Sequence, residues 1–380
     1  MNRAAWSEAK NVLAVRLDNI GDVLMTTPAI RALKESVPGR RVTLLTSPAG
    51  AQLAPHLREV DQVITFAAPW MKATGDGPTM DGAMIVQLAS KGFDAAVIFT
   101  VYSQNPLPAA YLTYLAGIPL RLAHCRENPY RLLTDWVPEP EPAKGVRHEV
   151  RRQLDLAIAA GARTADDRLS FTLPQRERER IWRTLVSLGI DRERPLVVAH
   201  PGASAASRRY PADMFARALD LLARDTGCHL VLTGGAHEAA LVDAVRASLT
   251  APAHSLAGCL DLGGLGALIE AADVLVSNNT GPVHIAAALG TPVVDLYALT
   301  NPQHTPWKVR CRVLFHDVPC KYCYKSVCQS GHHECLRNVA PETVAEAARQ
   351  LLDGRGTPFP ELPGGAVPEA RAMIRPAIVE

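Results

Sequence analysis

The sequence predicts an α/β protein of two doubly wound domains, each a parallel sheet covered by helices. Three observations lead there. Strand-length apolar runs alternate with helix-period patterns along most of the chain, which is the rhythm of βα units rather than of hairpins. That rhythm is interrupted by a charged helix over Gln175–Leu188 and starts afresh with the apolar run Leu196–His200 behind Pro195. Glycine-bearing breaks follow predicted strands at Gly21, Gly202, Gly234 and Gly281, and open α/β sheets bind ligands at the carboxyl ends of their strands. At 380 residues the chain also exceeds what one hydrophobic core usually holds.

Composition narrows the class. With 48% hydrophobic and 21% charged residues, the balance is that of a soluble globular enzyme. A net charge of +2, with no basic run interleaved with aromatics, argues against a nucleic-acid partner. The stretch before Asn19 lacks an apolar signal core, and no run of ~18 uncharged apolar residues occurs, so a cytoplasmic protein is expected. Arg151-Arg152 and the arginines from Arg176 to Arg183 read as solvated helix faces that could also rest on an anionic membrane surface.

In chain order, Asn11–Leu17 reads as the first strand. It breaks at Asp18-Asn19-Ile20-Gly21-Asp22 before a helix predicted over Val23–Ser36. The turn carries no GxGxxG fingerprint; a carboxylate, Asp22, stands at the strand exit instead. Asp22 suits either chemistry at that edge or a simple helix cap. Strands are expected at Val42–Thr46, Gln62–Phe66, Ala95–Thr100 and Pro119–Ala123, with a loop over Trp70–Asp81 and a helix over Tyr102–Leu115. Arg121, His124, Arg126 and Arg131 form a basic set that either faces an acidic acceptor or is solvated. Pro138–Pro142 alternates Pro with Glu and reads as a stiff connector, after which His148–Ala160 is a helix.

The boundary falls near 174–194, giving expected domains of residues 1–174 and 175–353. The second repeats the rhythm with strands near 196–200, 229–233, 273–277 and 292–296 and helices near 211–224, 236–249 and 262–271. After a helix over Pro341–Leu352, the tail 354–380 is rich in Pro, Gly and Ala and is expected to be poorly ordered or to strap back across the domains.

The densest chemistry lies between Asp273 and Tyr297. Val274–Val276 and Val293-Val294 are strand runs, and between them Pro282 opens a helix that Gly290 and Pro292 close. Gly281 or Thr280 would cap that helix, and its free N–H groups and positive dipole end would open beside Asn278, Asn279, Thr280 and His284, a site suited to phosphate. An ordinary αβ turn is the plain alternative. Other loops favour the site: His200-Pro201-Gly202 ends one strand, Arg208-Arg209 follow it with guanidinium groups fit for a diphosphate, and Thr233-Gly234 ends the next.

With these motifs in hand, the chain resembles glycosyltransferase family 9, the heptosyltransferases of lipopolysaccharide core synthesis. The resemblance rests on Arg16-Leu17-Asp18-Asn19-Ile20-Gly21-Asp22-Val23-Leu24 with Thr27-Pro28, on His200-Pro201-Gly202, on Arg208-Arg209-Tyr210-Pro211 and on Asn279-Thr280-Gly281-Pro282-Val283-His284. It runs to about residue 352. It implies a GT-B fold, two Rossmann-like domains facing each other across a cleft, with an acceptor site in the first and a nucleotide-sugar site in the second. It also implies an inverting transfer with no metal or other cofactor at the reacting centre. Asp22 would be the general base. Arg208, Thr233, Gly234, Asn279, Thr280, Gly281, Pro282 and His284 would bind the donor, ADP-heptose by family analogy. Arg121, Arg126 and His148 are expected at a lipid-linked or glycan acceptor, and a peripheral place on the inner face of the inner membrane is compatible with it. Asn279 departs from the family, which commonly has aspartate there, and this puts the donor contacts at that point in question. A nucleotide-sugar epimerase of the same architecture and a non-catalytic nucleotide-binding protein are the alternatives.

Of eight cysteines, four crowd into Cys320-x2-Cys323-x4-Cys328-x6-Cys335, with His332 and His333 among them. In a reducing compartment such crowding points to metal before disulfides, and four thiolates suit a structural zinc or iron that orders the loop 319–337. Reduced thiols or a redox pair are the alternative.

Overall fold

The computed structural model describes residues 3–71 and 81–356. Most of the loop expected at 70–81, and the tail beyond 356, lie outside the described residues. The chain divides into two compact units between Ser170 and Phe171.

The first unit runs through helix α1 (Arg3–Glu8), strand β1 (Asn11–Arg16), α2 (Ile20–Glu35), β2 (Arg41–Thr46), α3 (Pro48–Ala51), β3 (Gln62–Thr65), α4 (Asp81–Ser90), β4 (Ala95–Ile98), α5 (Leu107–Leu115), β5 (Leu120–Cys125), β6 (Asp135–Pro138) and α6 (Glu149–Ala159). Its six strands are parallel in the order β3-β2-β1-β4-β5-β6. The central strands are largely apolar because helices cover both faces of such a sheet, and Val12 to Arg16 and Ala95 to Ile98 are all buried.

The second unit runs through α7 (Gln175–Ser187), β7 (Leu196–His200), α8 (Ala212–Thr226), β8 (His229–Leu232), α9 (Ala239–Ser248), β9 (Ala253–Ser255), α10 (Leu262–Ala271), β10 (Val274–Asn278), α11 (Gly281–Leu289), β11 (Val293–Leu296), β12 (Cys311–Leu314), α12 (Glu334–Arg337) and α13 (Pro341–Leu352). Its sheet, β12-β11-β10-β7-β8-β9, is again parallel and repeats the first unit's topology with its first strand at β7. Both are doubly wound sheets whose strand order reverses beside the first strand, between β1 and β4 in one and between β7 and β10 in the other. Ligands bind outside the carboxyl ends of the strands at such a reversal.

Sequence reading missed β6, β9 and β12. Each is a sheet edge with partly exposed residues, so none carries a continuous apolar run. The helix expected from Tyr102 begins at Leu107, because the Gln104 side chain accepts from the Val101 N–H in a turn before Pro106. The Pro-Glu stretch 138–142 is a second correction. Glu139 and Glu141 are buried within the first unit, where Arg147 donates to Glu141 at 2.6 Å and Arg152 pairs with Glu139. Arg152 is therefore a buried ion-pair residue, while Arg151 alone is solvated.

Candidate active site

In the second unit, β7 and β10 are neighbours, with Ser277 opposite His200. The loops leaving these strands are tied together by Asn278, whose amide donates to the Pro201 carbonyl at 2.7 Å and accepts from the Tyr210 N–H at 3.0 Å. This brings the Gly202–Arg209 loop against the start of α11. Thr280 is the N-cap residue of α11 in extended conformation, and its side chain makes no cap hydrogen bond. Pro282 stands second in the helix, one place later than expected, and Gly290 ends it at φ 85°, a left-handed conformation glycine adopts without strain. His284 is buried one turn in. The first N–H groups of α11 and the positive end of its dipole thus open beside Thr280 and Gly281.

Arg208 is half-buried, and its Nε is enclosed without a hydrogen-bond acceptor. A buried donor left unmade costs roughly 1–3 kcal/mol, more for a charged group, so its natural partner is an anion brought in by a ligand. Arg209 differs. Its Nε donates to the Ala203 carbonyl at 2.8 Å and so folds the loop.

Asn279 and Thr233 are corrected by the geometry. The Asn279 amide donates at 2.9 Å both to Asp295 Oδ2 and to the His304 carbonyl, and its backbone N–H donates to the Leu296 carbonyl. It braces β10 against β11 and offers a ligand no N–H. A carboxyl does stand next door on β11, but burial pushes Asp295 well above the usual range and favours the neutral acid, so it does not restore the charge absent at 279. Thr233 is 1% exposed and its hydroxyl meets His200 Nδ1 at 3.0 Å, so it supports the floor rather than touching the nucleotide. Burial pushes His200 down to about 4, leaving its imidazole neutral at pH 7.

Sequence reading missed Glu238. It sits just past β8, its Oε2 accepting the Gly235 N–H at 2.8 Å, and it packs so closely on Gly202 that a Cβ there would lie 2.2 Å from Oε1. Gly202 is a glycine because this carboxylate occupies the space beside it, whereas at Gly234 a Cβ would first meet Val242 Cγ2, at 2.9 Å. An acid shortly after the second strand of a doubly wound domain was the available signal, since ribose hydroxyls are bound there in dinucleotide folds.

In the first unit, Asp22 stands in the first turn of α2, whose N-cap Asn19 makes no side-chain cap bond. The Asp22 carboxylate is 19% exposed and its Oδ1 accepts from Arg16 Nη2 at 3.2 Å. It is therefore an accessible carboxylate at the exit of β1, beside the reversal between β1 and β4.

The acceptor residues fare unequally. Arg121 is a correction: it is 7% exposed and its guanidinium is spent on the carbonyls of Ile118, Pro119, Arg131 and Leu132. An arginine that spends four of its five N–H donors on backbone acceptors holds a turn, and its burial keeps it from a glycan. Arg126 is exposed, donating to the Glu141 carbonyl at 2.6 Å with its guanidinium 6.0 Å from the Tyr102 ring centre. His148 caps α6, its Nδ1 accepting from the Val150 N–H at 3.2 Å.

Cys320, Cys323, Cys328 and Cys335 line one pocket with His332 and His333, and all four are free thiols. Burial, then the other thiols of the cluster, push Cys320 and Cys335 upward. Among the described residues, however, no three His, Cys, Asp or Glu side chains are gathered closely enough to hold an ion. The loop is bound to the donor side, with the Lys325 and Ser326 carbonyls accepting from the Ser207 hydroxyl at 2.7 Å and N–H at 3.1 Å.

Comparison with known proteins bears on the fold and the family. The family model for glycosyltransferase family 9 (heptosyltransferase) matches residues 82–334. Lipopolysaccharide heptosyltransferase 2 of Escherichia coli strain K12 is 28% identical over 365 residues, covering 90% of this chain and 98% of its own length. Among solved structures, the glycosyl transferase family 9 protein from Veillonella parvula superposes with a TM-score of 0.75 at 20% identity, covering 91% of this chain and 98% of its own. The Escherichia coli ADP-heptose LPS heptosyltransferase II gives 0.70 at 23% identity, covering 90% and 99%. The fold is GT-B, and the chain belongs to glycosyltransferase family 9, the heptosyltransferase family.

Proposed function

We propose that this glycosyltransferase moves a heptose from ADP-heptose onto a sugar hydroxyl of a lipopolysaccharide core or related lipid-linked glycan, with inversion at the anomeric carbon. Asp22 takes the proton of the acceptor hydroxyl, the oxygen attacks the anomeric carbon, and the bond from that carbon to the diphosphate breaks to release ADP. Arg208 and the start of α11 stabilise the charge growing on the departing diphosphate. Glu238 accepts from the ribose hydroxyls. The observation that carries the reading is the enclosed, partnerless Arg208 Nε on a loop bound to Asn278, two residues before the α11 cap. The names of the similar enzymes support the donor and acceptor class. The reaction belongs to the cytoplasmic face of the inner membrane, where the protein works as a peripheral enzyme. No helix among the described residues is long and apolar enough to cross a membrane.

Incubation with a panel of nucleotide sugars and a heptose-deficient core acceptor tests this directly. Acceptor-dependent ADP release is expected from ADP-heptose alone. Faster turnover of a uridine diphosphate sugar would overturn the donor assignment. Conversion of the sugar without use of acceptor would mark an epimerase.

The Cys320, Cys323, Cys328 and Cys335 thiols are proposed to hold one structural zinc or iron ion, away from the reacting centre. The support is that they line one pocket, where burial and then the neighbouring thiols push Cys320 and Cys335 upward, a cost that a bound cation relieves. About one equivalent of metal is expected in protein purified without added metal. Less than about a tenth of an equivalent, with four titratable thiols in the native protein, would refute the site.

A further inference from the structure

Arg16 ends β1 with its side chain fully buried among three carboxylates. Nη1 lies 2.9 Å from Glu149 Oε1 and Nε lies 2.9 Å from Asp18 Oδ2, both close ion pairs without hydrogen-bond alignment. Nη2 makes the aligned bond, 3.2 Å to Asp22 Oδ1. A guanidinium is a rigid planar fork, so two anchored nitrogens fix where the third points. Glu149 is the anchor. It is wholly buried at the first position of α6, where the helix dipole favours an anion, and its Oε1 also accepts from Gln153 Nε2 at 2.6 Å. Gln153 in turn donates to the Thr100 carbonyl at 2.9 Å, just past β4. The chain of contacts thus runs from α6 and the end of β4 through Glu149 and Arg16 to Asp22.

We propose that Arg16 and Glu149 are positioning residues for the transfer reaction: Arg16 aims the Asp22 carboxylate, and Glu149 holds Arg16 in place. The proposal rests on the reading of Asp22 as the base. It predicts opposite electrostatic effects from the two residues. Arg16 favours the ionised form of Asp22, whereas Glu149 and Asp18, as like charges on the same guanidinium, oppose it. Only ionised Asp22 can accept the proton. The charged groups that meet Arg16 are Asp18 before α2, Asp22 in its first turn and Glu149 at the start of α6; His148 adjoins Glu149 in the chain, and Arg152 pairs with Glu139 and bonds the Thr100 carbonyl that Gln153 also meets.

The test is the acid limb of the kcat/KM against pH profile, measured on the full chain with the donor and acceptor above. Arg16→Met should move the limb upward by about 1–3 pH units, the range by which an adjacent arginine lowers an aspartate. Glu149→Gln, isosteric and able to fold if the Met variant cannot, should move it downward. Arg16→Lys keeps the charge and loses the fork, so the limb should stay near its wild-type place while kcat falls. Loss of activity in the Arg16 and Glu149 variants with an unmoved limb would overturn the proposal, since it would mean a purely structural role. If Asp22→Asn retains activity, the fault lies instead with the reading of Asp22 as the base.

Discussion

Asp22→Asn is expected to lower turnover by ~10²–10⁴ while leaving affinity for the nucleoside diphosphate unchanged. The amide keeps the shape of the carboxylate and can still meet the Arg16 guanidinium, but it cannot accept a proton. Because the carboxylate keeps 19% exposure at the end of β1, a sugar hydroxyl can reach it without unfolding the corner. A loss confined to kcat means an interaction made only in the transition state. The measurement is steady-state turnover with ADP-heptose and core acceptor, alongside calorimetric titration with ADP. Turnover near the wild-type level in the Asn variant would sink the assignment of Asp22.

Asp22 was legible in the sequence because its signal is local: a carboxylate one residue past a glycine at the exit of an apolar run. The same holds for α11, whose Pro282 and Gly290 are written into consecutive residues. Arg16 and Glu149 were not legible as a pair. One reads as the charged end of a strand and the other as an acidic start to a helix, and only the packing of α6 against α2 brings them together. Arg121 failed for the opposite reason. A basic residue near other basic residues suggests an acidic partner, but the turn over residues 118–132 presents four carbonyls to one guanidinium, and satisfying buried acceptors takes precedence. Asn279 shows a third kind of gap. Sequence reading noted the missing charge, while the buried Asp295 carboxyl that Asn279 meets depends on β10 and β11 being adjacent with Ser277 opposite Asp295.

Arg208→Ala is expected to weaken ADP binding at least about 10-fold, because a charge-assisted hydrogen bond contributes ~1.5–3 kcal/mol. It should lower turnover further, by ~10²–10³, as does removal of a single donor aimed at developing charge. The two effects have separate origins. On the proposed reading, the bound donor's diphosphate already carries charge for Arg208 to meet, and in the transition state more charge would gather on the leaving oxygen beside the same guanidinium. Arg208→Lys should recover part of the affinity, since it restores the cation, but less of the turnover, since an ammonium group cannot present two parallel donors. Arg209→Ala is the comparison that isolates the effect. Its Nε bonds the Ala203 carbonyl within the loop, so its loss should loosen the loop and reduce affinity less than the loss of Arg208. Calorimetric titration of all three variants with ADP, with turnover measured in parallel, checks the order. Equal and small losses at positions 208 and 209 would show that this loop is a solvated basic surface and that the diphosphate is held by α11 alone.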